Sequence, residues 1–258
     1  MNELARWYRA CGRHQLPWRA TRDRWRILVS EVMLQQTQAP RVAAVWDDFI
    51  ARFPDPATTA AAGPGAVIGA WGRLGYPRRA RRLWEAAVEI TEHGWPDDLR
   101  SLPGIGRYTA AAVVAQADDA DAIGIEVNIR RVCERVAGER LRDRDAELVA
   151  VKIAAPLTGR DRLLALMDLG ATVCTARVPA CNGCPLFDAC VTRGTHDDET
   201  RHRQGRFEGS FRQRRGQVLA RLRDAPAPTE ELDGEALYTL IADGLAEVER
   251  GVARLATA

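Results

Sequence analysis

The chain has 258 residues, with 37 Lys and Arg against 35 Asp and Glu and 46% hydrophobic side chains, which suits a soluble globular protein with ample core material. No apolar stretch reaches the roughly 20 residues that a spanning helix needs before charge breaks it, so nothing spans a membrane. The opening MNELARWYRACGRH lacks the apolar core of a secretory signal, which points to a cytoplasmic protein.

The net charge of +2 gives a weak overall field, but the basic residues are biased: Lys152 is the only lysine. Arginine suits bidentate phosphate contacts, although a GC-rich genome produces the same bias. Helical periodicity predicts helices over 2–11, 25–39, 40–52, 64–73, 78–93, 107–117, 127–137, 145–157 and 160–172. Pro54, Pro64, Gly94 and Pro103 stand where helices should stop or start. No strand pattern of useful length precedes residue 240.

Residues 191–210 are polar and poor in aliphatics and read as a linker. FRQRRGQVLARLRDA follows as a basic helix, and LDGEALYTLIADGL as another ending near Gly244. LAEVERGVARLATA alternates around Arg250-Gly251, a hairpin signal. Helices followed by a small hairpin suggest a winged-helix-like module. The arginines at 201, 203, 206, 212, 214, 215, 221 and 223 offer either contacts to a DNA backbone or a solvated basic face.

Six cysteines are present, and Cys174, Cys181, Cys184 and Cys190 form a C-x6-C-x2-C-x5-C run. Disulfides do not suit a cytoplasmic chain. Zinc accepts four thiolates, usually from paired knuckles. An iron–sulfur cubane needs four thiolates from one compact loop, which this run supplies. The compactness favours the cluster over zinc. Cys11 and Cys133 lie outside the run and read as small apolar residues.

LPGIGRYTAAAVV at 102–114 places a glycine turn directly before a helix. Such a turn opens backbone N–H groups toward one point, and the positive end of the helix adds to them. Gly104 and Gly106 let an anion approach the backbone, with Arg107 adding charge.

Together with the cysteine run, the L-P-G-x-G turn resembles the helix-hairpin-helix DNA glycosylases of the endonuclease III and MutY type, over roughly residues 15–190. LPWR at 16–19, LGYPRRARRL at 74–83, NIRRV at 128–132 and MDLG at 167–170 fit as well, and SEVMLQQTQ at 30–38 resembles the MutY branch. The resemblance implies a mostly α fold of two helical subdomains, with the DNA and the extruded base between them. The corresponding divisions are 1–20 with 121–195 carrying a [4Fe–4S] cluster, 21–120 carrying the hairpin, a linker at 196–208 and the winged-helix-like piece at 209–258. It implies a monomer acting on double-stranded DNA with a mismatched or oxidised base, the hairpin gripping a phosphate while the base is extruded.

The implied reaction is removal of adenine paired with 8-oxoguanine or guanine. Glu31, set in the apolar VSEVMLQQ, is a carboxyl whose pKa burial would raise, and the resemblance makes it the general acid. The family has an aspartate two residues before Asn128; here Glu126 stands there, one methylene longer. Tyr108 occupies the position of the lysine nucleophile of the lyase branch, which implies a glycosylase without β-lyase activity. Gln35 and Gln36 can read base edges, and Trp18 and Arg19 match the segment near the adenine pocket. Tyr76 matches the first aromatic of the family's L-G-Y-Y, but Pro77 replaces the second, and the long 8-oxoguanine-reading domain has no counterpart in 209–258. Those departures keep two alternatives open: a thymine or uracil mismatch glycosylase, and a non-catalytic DNA-binding or redox-sensing relative.

Overall fold

The structure, a computed structural model, describes residues 3–194 and 205–257. The described chain is mostly helical and forms two compact units, Met1–Glu31 with Gly106–Arg201 and Val32–Ile105 with His202–Ala258. The helices are α1 (Glu3–Cys11), α2 (Arg24–Leu34), α3 (Ala39–Arg52), α4 (Pro56–Trp71), α5 (Arg78–His93), α6 (Arg107–Asp118), α7 (Val127–Ala137), α8 (Asp143–Ala154), α9 (Gly159–Thr172), α10 (Phe211–Asp224) and α11 (Gly234–Ala242). Among the described residues no helix is long and apolar enough to cross a membrane.

The first unit is built around α9, which packs against α1, α6, α7 and α8. Its run Leu163–Leu166 is buried on every side, as a central helix must be. Leu4, Tyr8, Ile129, Val132 and Leu169 close the core around it. The packing of α6 on α9 places α6 in this unit, so one division falls after Ile105, where the sequence suggested 120; the other falls after Glu31, where it suggested 20.

In the second unit α4 lies along α5. Helix α4 begins at Pro56, earlier than the predicted residue 64, because Asp55 caps it through Thr58 N at 2.7 Å. The expected break survives as a kink at Gly63, φ 77°, before Pro64. Helix α2 ends at Leu34 instead of 39 because Arg79 closes it. The buried guanidinium donates to the carbonyls of Val32 (2.9 Å), Met33 (2.8 Å), Gln35 and Gly75 (3.0 Å), and to Thr37 Oγ1 (2.8 Å). Burial lowers its pKa to about 10, and it lies over the Trp71 and Tyr76 rings at 5.3 and 5.4 Å. Replacing it with methionine strands buried carbonyls, so Arg79→Met should lower stability by about 3 kcal/mol in urea unfolding; an unchanged midpoint would contradict this role.

The C-terminal piece has the order α10, β1 (Ala227–Pro228), α11, β2 (Ala246–Glu249), β3 (Val252–Leu255), a winged-helix-like arrangement. Its antiparallel sheet is ordered β1-β3-β2, with Ala246 opposite Leu255 and Ala227 opposite Ala253. Strand β1 was not foreseen, since two residues carry no periodicity. Arg250 and Gly251 both take positive φ, 51° and 78°, as a two-residue hairpin turn of this hand requires.

The sequence set this piece apart at 209–258, but it groups with the second unit. Arg78 bonds Asp243 at 2.6 Å, Arg223 Nε donates to Ile68 O at 3.4 Å, and Arg81 donates to Gly244 O. The basic helix is partly paired with acids. Arg214 is paired with Asp233 (2.9 Å) and Glu235 (2.8 Å), Arg215 with Asp243 (2.6 Å) and Arg206 with Glu208 (2.9 Å). Arg212 donates to Gly205 O at 2.7 Å and Arg221 to Ala225 O at 3.1 Å. Arg201, Arg203 and most of the linker reading lie outside the described residues.

Candidate active site

Helix α2 carries Glu31 in a stretch, Ile27–Met33, buried at every position. The carboxyl is 3% exposed. Its Oε1 accepts from Gln116 Nε2 on α6 at 2.7 Å. Burial pushes the Glu31 carboxyl above the usual carboxylate range, and the nearby Glu126 charge pushes the same way. The Gln116 bond, the Arg19 charge and Tyr108 oppose that rise.

Tyr108, in the first turn of α6, also interacts with Glu31. Its hydroxyl donates to Met167 Sδ at 3.3 Å. Burial first, and the Glu31 charge second, push its pKa well above the phenol range, so it stays a neutral donor.

Glu126 is the N-cap of α7. Its Oε1 accepts from Ile129 N at 2.9 Å and its Oε2 from Asn128 Nδ2 at 3.1 Å. The extra methylene is taken up by folding the carboxylate back over the helix end, where the dipole favours it. Asn128 Oδ1 in turn accepts from Arg131 Nη2 at 2.8 Å. Gly170 makes this possible: a Cβ there would stand 2.7 Å from Asn128 Cβ and 2.8 Å from its carbonyl oxygen.

Trp18, in the Pro17–Arg19 turn, is buried at 2% exposure. Arg19 Nη2 donates to Asp168 Oδ1 at 3.0 Å, and Arg13 reaches both Asp168 oxygens, from Nε at 2.7 Å and from its backbone N at 2.9 Å. Asp168 is wholly buried and neutralised by these two arginines. Arg160 ties the wall together, donating to Gln116 O at 2.7 Å, Arg19 O at 2.6 Å and Thr21 O at 3.0 Å. So the first unit brings together Glu31, Tyr108, Glu126, Asn128 and Arg19, all named from sequence. Gln116 and Asp168 had no assigned role. Gln116 is the lone amide in AAAVVAQA, a signal that is visible in hindsight.

Cys174, Cys181, Cys184 and Cys190 line one cavity with Arg135, Val173, Pro179, Phe187 and Arg193. Turns closed by Cys184 N to Cys181 O (3.0 Å), Phe187 N to Cys184 O (3.1 Å) and Cys190 N to Phe187 O (3.2 Å) wrap it. Arg135 Nη1 donates to Cys174 Sγ at 3.4 Å, and Cys190 Sγ donates to Arg135 O at 3.3 Å. Burial, aided by the other three thiols, pushes Cys184 up to about 11. Among the described residues no three Cys, His, Asp or Glu side chains converge on one ion position; the thiols surround a space. Four half-buried sulfurs with an arginine donor form a donor set that fits an iron–sulfur cluster. Cys133 lies in the core, as expected, while Cys11 is exposed.

In the second unit Leu102 and Ile105 are buried and anchor the glycine turn, with Ile105 N donating to Leu102 O at 3.2 Å. Gly104 has φ 78°, and a Cβ there would meet the Arg82 Cβ at 2.9 Å and Cδ at 3.0 Å. Only glycine serves here, because both the backbone and the Arg82 stem exclude a side chain. Gln35 Nε2 donates to Gly104 O at 3.4 Å. Gln36 is exposed with φ 58°, and Tyr76 is exposed with φ 48°. Gly106 caps α6 with open space around it. Arg107 does not augment the turn: it is paired with Glu147 at 2.8 Å and Asp143 at 3.4 Å. The aliphatic stem of Arg82, which the sequence did not single out, lies against Gly104.

Residues 29–153 match the model of the HhH-GPD superfamily base excision DNA repair proteins. An adenine DNA glycosylase of Mycolicibacterium smegmatis is 43% identical over 95% of this chain and 92% of its own length. The chain belongs to the HhH-GPD superfamily. A thymine-DNA glycosylase of Aeropyrum pernix is 34% identical over 73% of this chain and 91% of its own. The solved structure of a thermostable thymine-DNA glycosylase superposes with a TM-score of 0.66 at 27% identity, covering 73% of this chain and 92% of that one. The superfamily match therefore spans Glu31, the glycine turn, Tyr108, Glu126 and Asn128, while the cysteine loop lies beyond it.

Proposed function

We propose that this chain is a monofunctional DNA glycosylase of base excision repair that removes adenine paired with 8-oxoguanine or guanine. The observation that carries this reading is a buried Glu31, its pKa raised by that burial, facing Tyr108 and the Glu126 carboxylate, in a chain 43% identical to an adenine DNA glycosylase along nearly its whole length.

Glu31 donates its proton to a ring nitrogen of the extruded purine as the glycosidic C–N bond breaks and its electron pair passes to the base. The sugar is left oxocarbenium-like, and the Glu126 carboxylate, held by Ile129 N and Asn128, stabilises that charge. Water then adds to the sugar carbon and returns a proton to Glu31. Tyr108 offers no amine for a Schiff base, so the abasic strand stays intact. The Leu102–Gly106 turn holds a phosphate through its backbone N–H groups, with Arg82 beside it, while Gln35, Gln36, Tyr76, Trp18 and Arg19 contact the DNA or the extruded base. Cys174, Cys181, Cys184 and Cys190 would hold a [4Fe–4S] cluster whose contribution is to staple the loop.

The test uses the full chain in excess over end-labelled duplexes carrying A:8-oxoguanine, A:G, T:G and U:G, each with and without hot alkali. Alkali-dependent cleavage at adenine alone is expected. Cleavage at T:G or U:G with adenine untouched would replace this reading with the mismatched-pyrimidine one, which the Aeropyrum relative favours. Cleavage without alkali would contradict the role given to Tyr108. The same preparation should be brown; a colourless, zinc-containing protein would overturn the cluster assignment.

A further inference from the structure

Gln116 is 1% exposed, on the face of α6 that also carries Tyr108 two turns earlier. Its carbonyl oxygen at the backbone is fixed by Arg160, and its side-chain Nε2 reaches Glu31 Oε1 at 2.7 Å. An amide N–H can only donate, so the oxygen it meets must accept. We infer that Gln116 is a positioning residue that reserves Glu31 Oε1 as an acceptor and so confines the transferable proton to Oε2. This inference rests on the reading of Glu31 as the general acid.

The consequence follows from the surroundings. Glu31 faces Gln116 and Tyr108 from α6, Glu126 from the cap of α7, and Arg19 from the Pro17–Arg19 turn. Burial and the Glu126 charge hold the proton on; Gln116, Arg19 and Tyr108 favour its release. Of these, Gln116 and the neutral Tyr108 add no charge, and Gln116 reaches Oε1. It therefore tunes how readily the acid lets go while fixing the direction of delivery.

Single-turnover excision from the A:8-oxoguanine duplex, followed against pH, tests this with Gln116→Met, which keeps the volume and removes the donor. The rate of the parent should fall on the alkaline side as Glu31 loses its proton. In Gln116→Met that limb should move up by about one pH unit, and the plateau should drop about tenfold. In Gln116→Glu, two carboxyls share one proton and the limb should move further up. An unmoved limb and plateau in Gln116→Met would make Gln116 a packing residue and overturn the inference. If either variant fails to fold, the side-chain amide protons of Gln116 can be followed by NMR in the unaltered chain. They should shift with the Glu31 titration, and a constant shift across it would overturn the inference. An active Glu31→Gln protein would instead refute the general-acid reading itself.

Discussion

Glu31→Gln should abolish adenine excision, lowering the single-turnover rate by about 10³-fold or more, while duplex affinity stays within a few-fold. The amide keeps the shape of the carboxyl and can still bond Gln116 through its oxygen, but it has no proton to give. A second signature is thermodynamic. The folded protein holds Glu31 above the carboxylate value near 4.5 that the unfolded chain would show. A raised pKa of this kind contributes stability that is fully present below the unfolded pKa and is lost as pH rises through the folded one. Burial makes the ionised form of this carboxyl costly, and glutamine removes that cost. Melting temperatures taken between pH 5 and 9 should therefore show Glu31→Gln gaining on the parent as pH rises, by about 2–4 °C for each kcal/mol recovered. Parallel melting curves would show that the carboxyl is not desolvated; retained excision would remove Glu31 from the chemistry.

Glu126→Gln should lower excision by about 10²-fold or more, and Glu126→Asp by less than tenfold. The carboxylate has two tasks in this structure, capping α7 through Ile129 N and offering charge toward Glu31. Glutamine retains an oxygen for the cap but loses the charge, while aspartate keeps the charge and is itself a favoured cap. The pH profile separates the tasks further. The Glu126 charge raises the Glu31 pKa, so neutralising it should move the alkaline limb of Glu126→Gln to lower pH. Full activity with an unmoved limb would reduce Glu126 to a helix cap, and would make the departure from aspartate at this position neutral for the reaction.

Much of this was open to inspection in the sequence. Helix α5 falls at 78–93 and α7 at 127–137, both as the periodicity predicts, and the Arg250-Gly251 hairpin follows from residues that tolerate positive φ. The glycine turn, the cysteine spacing and the burial of Glu31 in VSEVMLQQ are equally local. Each depends on neighbours within a turn or two of helix, where side-chain spacing and backbone freedom decide the outcome.

What only the tertiary structure decided is where the buried polar groups find partners. Helix α2 stops at Leu34 because Arg79, far along the chain, takes up its carbonyls. Glu31 is held by Gln116, 85 positions away, and Arg19 by Asp168, 149 away. Arg107, the expected cation of the glycine turn, is claimed by acids on α8, and Arg82 lies against Gly104 in its place. On α10, Arg214 meets Asp233 and Glu235, and Arg215 meets Asp243. A buried donor or acceptor costs free energy until it is matched, and periodicity carries no information on which distant group will match it. The sequence determined α5, α7, the turn and the carboxyl; packing determined how that carboxyl is held and where the arginines find their partners.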